Sequence, residues 1–149
     1  GMQIMAIEYA KDVCKISDAT SGEMSEDGSK IIDLLPDQQK KMTGGTLRLG
    51  AYPCVLSKES LAYSLYGTTD ISERHRHRYE VNNDYRQVLE DNGMRLSGLS
   101  PDGRIVEMIE IKDHPYFIAT QAHPEFKSRP DMAHPLFAGL VGAALKSKN

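Results

Sequence analysis

The sequence predicts an α/β domain in which helices flank a mixed sheet that contains an antiparallel hairpin. Three observations carry that prediction. Residues 1–16 set Met2, Met5, Ala6, Tyr9, Ala10 and Val13 at helical spacing, with Glu8, Lys11, Asp12 and Lys15 between them. Residues 94–99 and 104–111 alternate around Ser100-Pro101-Asp102-Gly103, and Pro-Asp-Gly is the turn chemistry that joins two antiparallel strands. Residues 116–122 are an apolar run of strand length that stops at His123-Pro124-Glu125. The hairpin breaks what would otherwise be an alternating series of strands and helices.

The elements follow in order. The first helix is already under way at residue 1 with no capping residue ahead of it, which leads one to expect a preceding strand and turn. Residues 17–30 are polar and rich in Gly, Ser and Asp, and read as a loop. Residues 31–35 are a short apolar stretch stopped by Pro36, residues 37–42 are polar and exposed, and Thr43-Gly44-Gly45 is a joint. Residues 46–56 form a strand whose Pro53 marks an edge or a bulge. Residues 58–66 are a short helix that Gly67 ends. Residues 71–82 hold an Arg/His run, and residues 83–92 are a helix closed by Gly93, with Tyr85, Val88 and Leu89 inward. Pro135 opens the last helix, whose inner face is Leu136, Phe137, Leu140, Val141, Ala144 and Leu145. With no repeat and no linker, the 149 residues read as a single domain.

Composition narrows the function. A net charge of −3 gives no reason to expect a nucleic acid or an anionic membrane as partner. The apolar stretches are too short to span a bilayer, and no secretory pattern opens the chain. Two cysteines, Cys14 and Cys54, make neither a disulfide framework nor a metal spacing, so a reduced, cytoplasmic setting is expected. There is no Gly-rich phosphate cradle.

The chemistry gathers at His123 and Glu125. Proline disfavours the α region for the residue before it, so His123 should be extended, which points both side chains to one face. A carboxylate beside an imidazole fixes its tautomer and stabilises the imidazolium; the plainer alternative is that the two merely end a strand. In the run Glu73-Arg74-His75-Arg76-His77-Arg78, the arginines share one face of a strand and the histidines the other. His75 and His77 could pair on a metal, but no third ligand is evident, and no metal is expected. An arginine gripping a carboxylate substrate is better motivated, and a solvated charged strand is the bland alternative. Cys14 and Cys54 both read as structural, and Ser100 lies in a turn, so the chain shows no nucleophile.

The segments GMQ at 1–3, GGTLRLG at 44–50, ERHRHRYEVNN at 73–83, SGLSPDGRIVE at 97–107, HPEFKSRP at 123–130 and HPLF at 134–137 run through nearly the whole chain. Together they resemble the glutaminase domain of the CTP synthases, which are class I (triad) glutamine amidotransferases. The resemblance implies the C-terminal part of a flavodoxin-like domain that hydrolyses L-glutamine and passes ammonia to an ATP-dependent amination of UTP.

By that resemblance the opening Gly-Met-Gln follows a nucleophilic Cys-Leu, so the chain is expected to begin two residues after its nucleophile and to be inactive alone. His123 is implied as general base and Glu125 as its orienting partner. Gly1, Met2 and Gln3 line the glutamine site, Glu23 holds the substrate's α-amino group and Arg78 its α-carboxylate. Thr46 and Arg48 match a lid segment linked to a GTP effect. No cofactor is implied in this chain; ATP and Mg2+ would serve a synthetase domain of the same polypeptide, GTP would be an effector, and the full enzyme would be a homotetramer. Ala122 stands where the family has an aromatic, and Thr20-Ser21-Gly22-Glu23 replaces Asn-Ser-Thr-Glu, which touches pocket packing but no catalytic group. A catalytically dead interaction module of the same fold, or another triad hydrolase such as a γ-glutamyl peptidase, are the other readings.

Overall fold

A computed structural model describes residues 1–34 and 47–148 of the chain. Pro36, residues 37–42, the joint at Thr43-Gly44-Gly45, and Thr46 lie outside them.

Helix α1 (Met2–Asp12) turns Met2, Ala6, Ile7, Tyr9 and Ala10 into the core; Val13, expected inward, is exposed where the helix has ended. Strand β1 (Ala19–Ser21) falls inside the stretch expected to be loop, and lies parallel to β2 (Ser29–Asp33). Its three residues are too few for alternation to show in the sequence. The small strand β5 (Glu80–Val81) pairs with β2 antiparallel and completes a three-stranded mixed sheet.

The larger sheet is antiparallel, in the order β4-β3-β6-β7-β8, where β3 is Arg48–Leu56, β4 Asp70–His77, β6 Met94–Leu99, β7 Val106–Ile111 and β8 Ile118–Thr120. Strand β3 meets β6 only at Val55 and Leu56, so Pro53 lies where the strand is locally an edge and its missing N–H costs no ladder bond. The sheet curls until its two edge strands touch: His75 bridges Ala122, and the His123 amide donates to the Arg74 carbonyl at 2.8 Å. β8 is shorter than residues 116–122 suggested and is half-buried throughout.

Two apolar clusters fill the molecule. One joins α1 to Ile31, Ile32, Val81, Leu89, Met94 and Ile109, bringing the two sheets together. Leu89 comes from α3 (Arg86–Asp91), which Asn83–Tyr85 enters as a 3-10 turn. The other gathers Cys54, Leu56, Ala62, Met108 and Leu136 beneath helices α2 (Leu61–Tyr66) and α4 (Pro135–Lys146). Gly67 ends α2 in the left-handed region at φ 72°, as expected.

Helix α4 departs from the expectation. Leu136 is buried, but Phe137, Leu140, Val141 and Leu145 are exposed among the described residues. The helix packs through its small residues instead: a Cβ on Gly139 would stand 2.7 Å from Leu65 and 2.8 Å from Tyr116. Close backbone approach, not side-chain bulk, decides which face docks.

His134 caps α4, its Nδ1 accepting from the Leu136 amide at 3.3 Å. Its Nε2 therefore carries the proton and donates to Glu73 Oε1 at 2.9 Å, while the Tyr66 hydroxyl donates to the same oxygen at 3.0 Å. Burial alone would raise the Glu73 carboxyl, but the hydrogen bond from His134, with the Lys127 charge and the Tyr66 hydroxyl, outweighs it and holds the group below the usual glutamate value.

Candidate active site

Strand β4 alternates as its sequence requires. Glu73, His75 and His77 face inward and are buried, whereas Arg74 and Arg76 are exposed. Opposite them on β3, Arg48 is in register with His77 and Gly50 with His75. The inner face therefore carries ionisable groups, unusual for a sheet interior and tolerable only if they pair. Arg48 Nη1 donates to Glu107 Oε1 at 2.5 Å, and its guanidinium lies 4.2 Å from the Tyr52 ring centre. Burial raises the Glu107 carboxyl, and Arg48 only partly opposes that. His75 is driven down to about 3, first by burial and then by His77, Arg48 and His123, so its ring is neutral.

The His-Pro-Glu corner follows directly after β8. Pro124–Phe126 is a 3-10 turn, so Glu125 is not the extended residue the spacing suggested. The turn nevertheless folds Glu125 back, and its Oε1 sits 2.7 Å from His123 Nδ1. A carboxylate only accepts, so Nδ1 carries the proton and Nε2 presents its lone pair. That hydrogen bond lowers the Glu125 carboxyl and keeps it ionised. The Phe126 ring flanks the imidazole with centroids 5.6 Å apart, and the Lys127 ammonium donates to the Ser72 carbonyl at 2.5 Å, fastening the turn to β4.

A cleft of about 480 Å³ is lined by Gln3, Glu23, Leu47, Arg76, His77, Arg78 and Tyr79; His123 and Glu125 are not in its lining, and Gln121 links it to their corner. Its back wall is an amide knot. Gln3 Nε2 donates to the Tyr79 carbonyl and to Gln121 Oε1, and Gln121 Nε2 donates to the same Tyr79 carbonyl, each at 3.3 Å. Since Gln121 lies two residues before His123, the knot ties the head of α1, the end of β4 and the His-Pro-Glu corner together.

Of the expected substrate residues, Gln3, Glu23 and Arg78 line this one cleft; Gly1 is the exposed N-cap of α1, and Met2 is 3% exposed with its side chain in the core. Met2 can offer the cleft only its backbone. Thr46 lies outside the described residues. Arg48 opens β3 and is 7% exposed, an interior group rather than one presented on a surface lid. Gln121, Tyr79 and Glu107 fall in segments that the sequence marks, but it assigns none of them a role of its own. Glu107 had a signal: it is a charge inside the apolar run Val106 to Ile109. Tyr79 had none, because it acts through its carbonyl.

Neither cysteine is built as a nucleophile. Cys54 is 1% exposed, and burial, reinforced by Glu107, pushes its thiol up to about 12. Burial also raises Cys14, whose sulfur faces the Val88 carbonyl at 3.7 Å. A disulfide reagent at mildly alkaline pH should therefore modify at most Cys14 in the folded chain, with Cys54 reacting only after denaturant is added. Prompt modification of both thiols without denaturant would contradict the burial of Cys54.

Comparison with known proteins agrees with this architecture. The family model described as glutamine amidotransferase class-I matches residues 1–143. The CTP synthase of Methanocaldococcus jannaschii is 55% identical over 99% of the chain, and that of Carboxydothermus hydrogenoformans 54% over 99%. The chain spans only 28% of the length of each of these relatives. Among solved structures, the Trypanosoma brucei CTP synthase glutaminase domain with bound acivicin superposes with a TM-score of 0.91, at 33% identity, over 98% of this chain and 58% of that one. A mixed α/β fold with a curled antiparallel sheet, matched by the family model along almost its whole length, makes this chain a member of the class I glutamine amidotransferases.

Proposed function

We propose that the chain is part of the glutaminase of a CTP synthase, and that it supplies the acid/base pair and much of the glutamine pocket. The observation that carries this is the cleft wall. An α-amino acid needs an anion for its ammonium and a cationic fork for its carboxylate, and Glu23 and Arg78 line the same cleft. Its side chain would reach towards the head of α1, where free backbone N–H groups of Met2 and Gln3 suit a developing oxyanion.

In this reading a cysteine thiolate from outside these 149 residues attacks the carboxamide carbon. His123 Nε2 takes the thiol proton and delivers it to the departing ammonia. A water deprotonated by His123 then releases glutamate, while Glu125 holds the imidazole in one tautomer. The ammonia would be consumed in the ATP-dependent amination of UTP. ATP and Mg2+ would be bound by a synthetase domain of the same polypeptide, since this sequence has no Gly-rich phosphate cradle. GTP as effector, a homotetrameric full enzyme and a cytoplasmic location belong to the same proposal. No helix among the described residues is long and apolar enough to cross a membrane. A GTP effect through Arg48 would have to act on its buried pair with Glu107.

The test is kinetic. The 149-residue chain alone should release no glutamate from glutamine. In the longer protein, Arg78→Ala should raise the KM for glutamine by about 10–100-fold, the value of a lost charged hydrogen-bond pair, without changing the rate with added ammonium. A longer protein that carries the cysteine yet ignores glutamine would favour the interaction-module reading.

A further inference from the structure

The glutamine reading leaves unused a cluster inside the curled sheet. His75 Nδ1 lies 2.8 Å from His77 Nε2 and 3.5 Å from Glu107 Oε2. One donor atom from each of the three residues lies within 4.8 Å of the other two. A tetrahedral zinc with bonds of about 2.0–2.1 Å needs donors about 3.3 Å apart, so small side-chain rotations would bring all three onto one ion.

The surroundings are those of a ligand set. His77 Nδ1 faces the Tyr79 carbonyl at 3.3 Å and Glu80 Oε1 at 3.2 Å, which puts the proton there and turns the Nε2 lone pair to the cluster. Histidines on metals are commonly oriented by such a carbonyl or carboxylate. Glu107 is held through Oε1 by Arg48, while its Oε2 is buried with no hydrogen-bond partner. Both oxygens of Glu80, 0% exposed, also lack a hydrogen bond, although one is within ion-pair distance of His77. Two buried carboxylates thus lie around the histidine pair, and only Glu107 is matched by a guanidinium, so an added cation would help balance them. His77 also lines the cleft, which gives an ion a way in.

We propose that His75, His77 and Glu107 form a site for a divalent first-row transition ion, of which Zn2+ is the natural probe. The donor set is two imidazoles and one carboxylate, with a fourth position open. Such a set selects Zn2+ or Co2+ over Mg2+, which prefers oxygen donors and retains its water.

The experiment uses the 149-residue chain, stripped with a chelator and titrated with Co2+, Zn2+ and Mg2+. One equivalent of Co2+ should bind with the intense visible bands of a four- or five-coordinate site and be displaced by Zn2+, with no competition from Mg2+. His123→Asn, which removes the partly exposed imidazole of the His-Pro-Glu corner, should leave this unchanged. His77→Gln should weaken Zn2+ by at least about a hundredfold, more than loss of an orienting partner costs. Because His77→Gln removes a buried group and could disturb folding, zinc-edge X-ray absorption on the unmutated chain gives a second readout, with two imidazoles and an oxygen expected in the shell. Absence of saturable binding, a shell without two imidazoles, or binding lost in His123→Asn but kept in a folded His77→Gln would each overturn the site.

Discussion

Replacing His123 with Asn in a longer, cysteine-bearing protein should cut glutamine-dependent product formation by about 10²–10⁴-fold, while the rate with added ammonium continues. The imidazole has two tasks in the proposed reaction, taking the thiol proton and giving one to ammonia, and no neighbouring group among the described residues can replace it. His75, the other ring close to the corner, is buried and held neutral far below its ordinary range, with His77 already at its Nδ1. Glu125→Ala should cost less than His123→Asn, because the ring keeps its nitrogen and loses only the 2.7 Å bond that selects its tautomer. The ammonium control separates a lost acid/base group from a collapsed domain. Equal loss with both nitrogen sources would assign His123 a structural role instead.

The route to that pair shows what the sequence made legible. Two residues flanking a proline were enough to foresee the contact between His123 and Glu125, but the means was a 3-10 turn rather than an extended strand. Proline constrained the histidine before it and left the turn after it free. Strand β4 was legible in detail, because alternation in Arg74-His75-Arg76-His77 needs only a pleat, and one face had to be buried. Helix α4 misled for the opposite reason. Periodicity finds the bulky face, whereas Gly139 lets the narrow face approach Leu65 and Tyr116 closely. The partners of a strand are harder still. Nothing local to His75 and His77 signals that Glu107 arrives from β7, because that meeting is made by the curl of the sheet and not by any spacing in the chain.

Arg48→Met should destabilise the chain by about 3–5 kcal/mol, measured by denaturant unfolding with chelator present, since it strands Glu107 as a buried charge without its partner. Arg48 is 7% exposed and Glu107 1%, and the guanidinium reaches the carboxylate across the sheet interior, so water cannot replace it. The double variant Arg48→Met with Glu107→Leu should recover most of that loss, because removing both charges removes the desolvation cost along with the attraction. A coupling of this sign and size is what an interior ion pair gives and a surface contact does not. Were Arg48 only a lid residue facing solvent, the single substitution would cost no more than about 0.5 kcal/mol and the second would not repair it. Measuring the cycle therefore decides whether Arg48 is an interior partner of Glu107 or a residue that faces solvent.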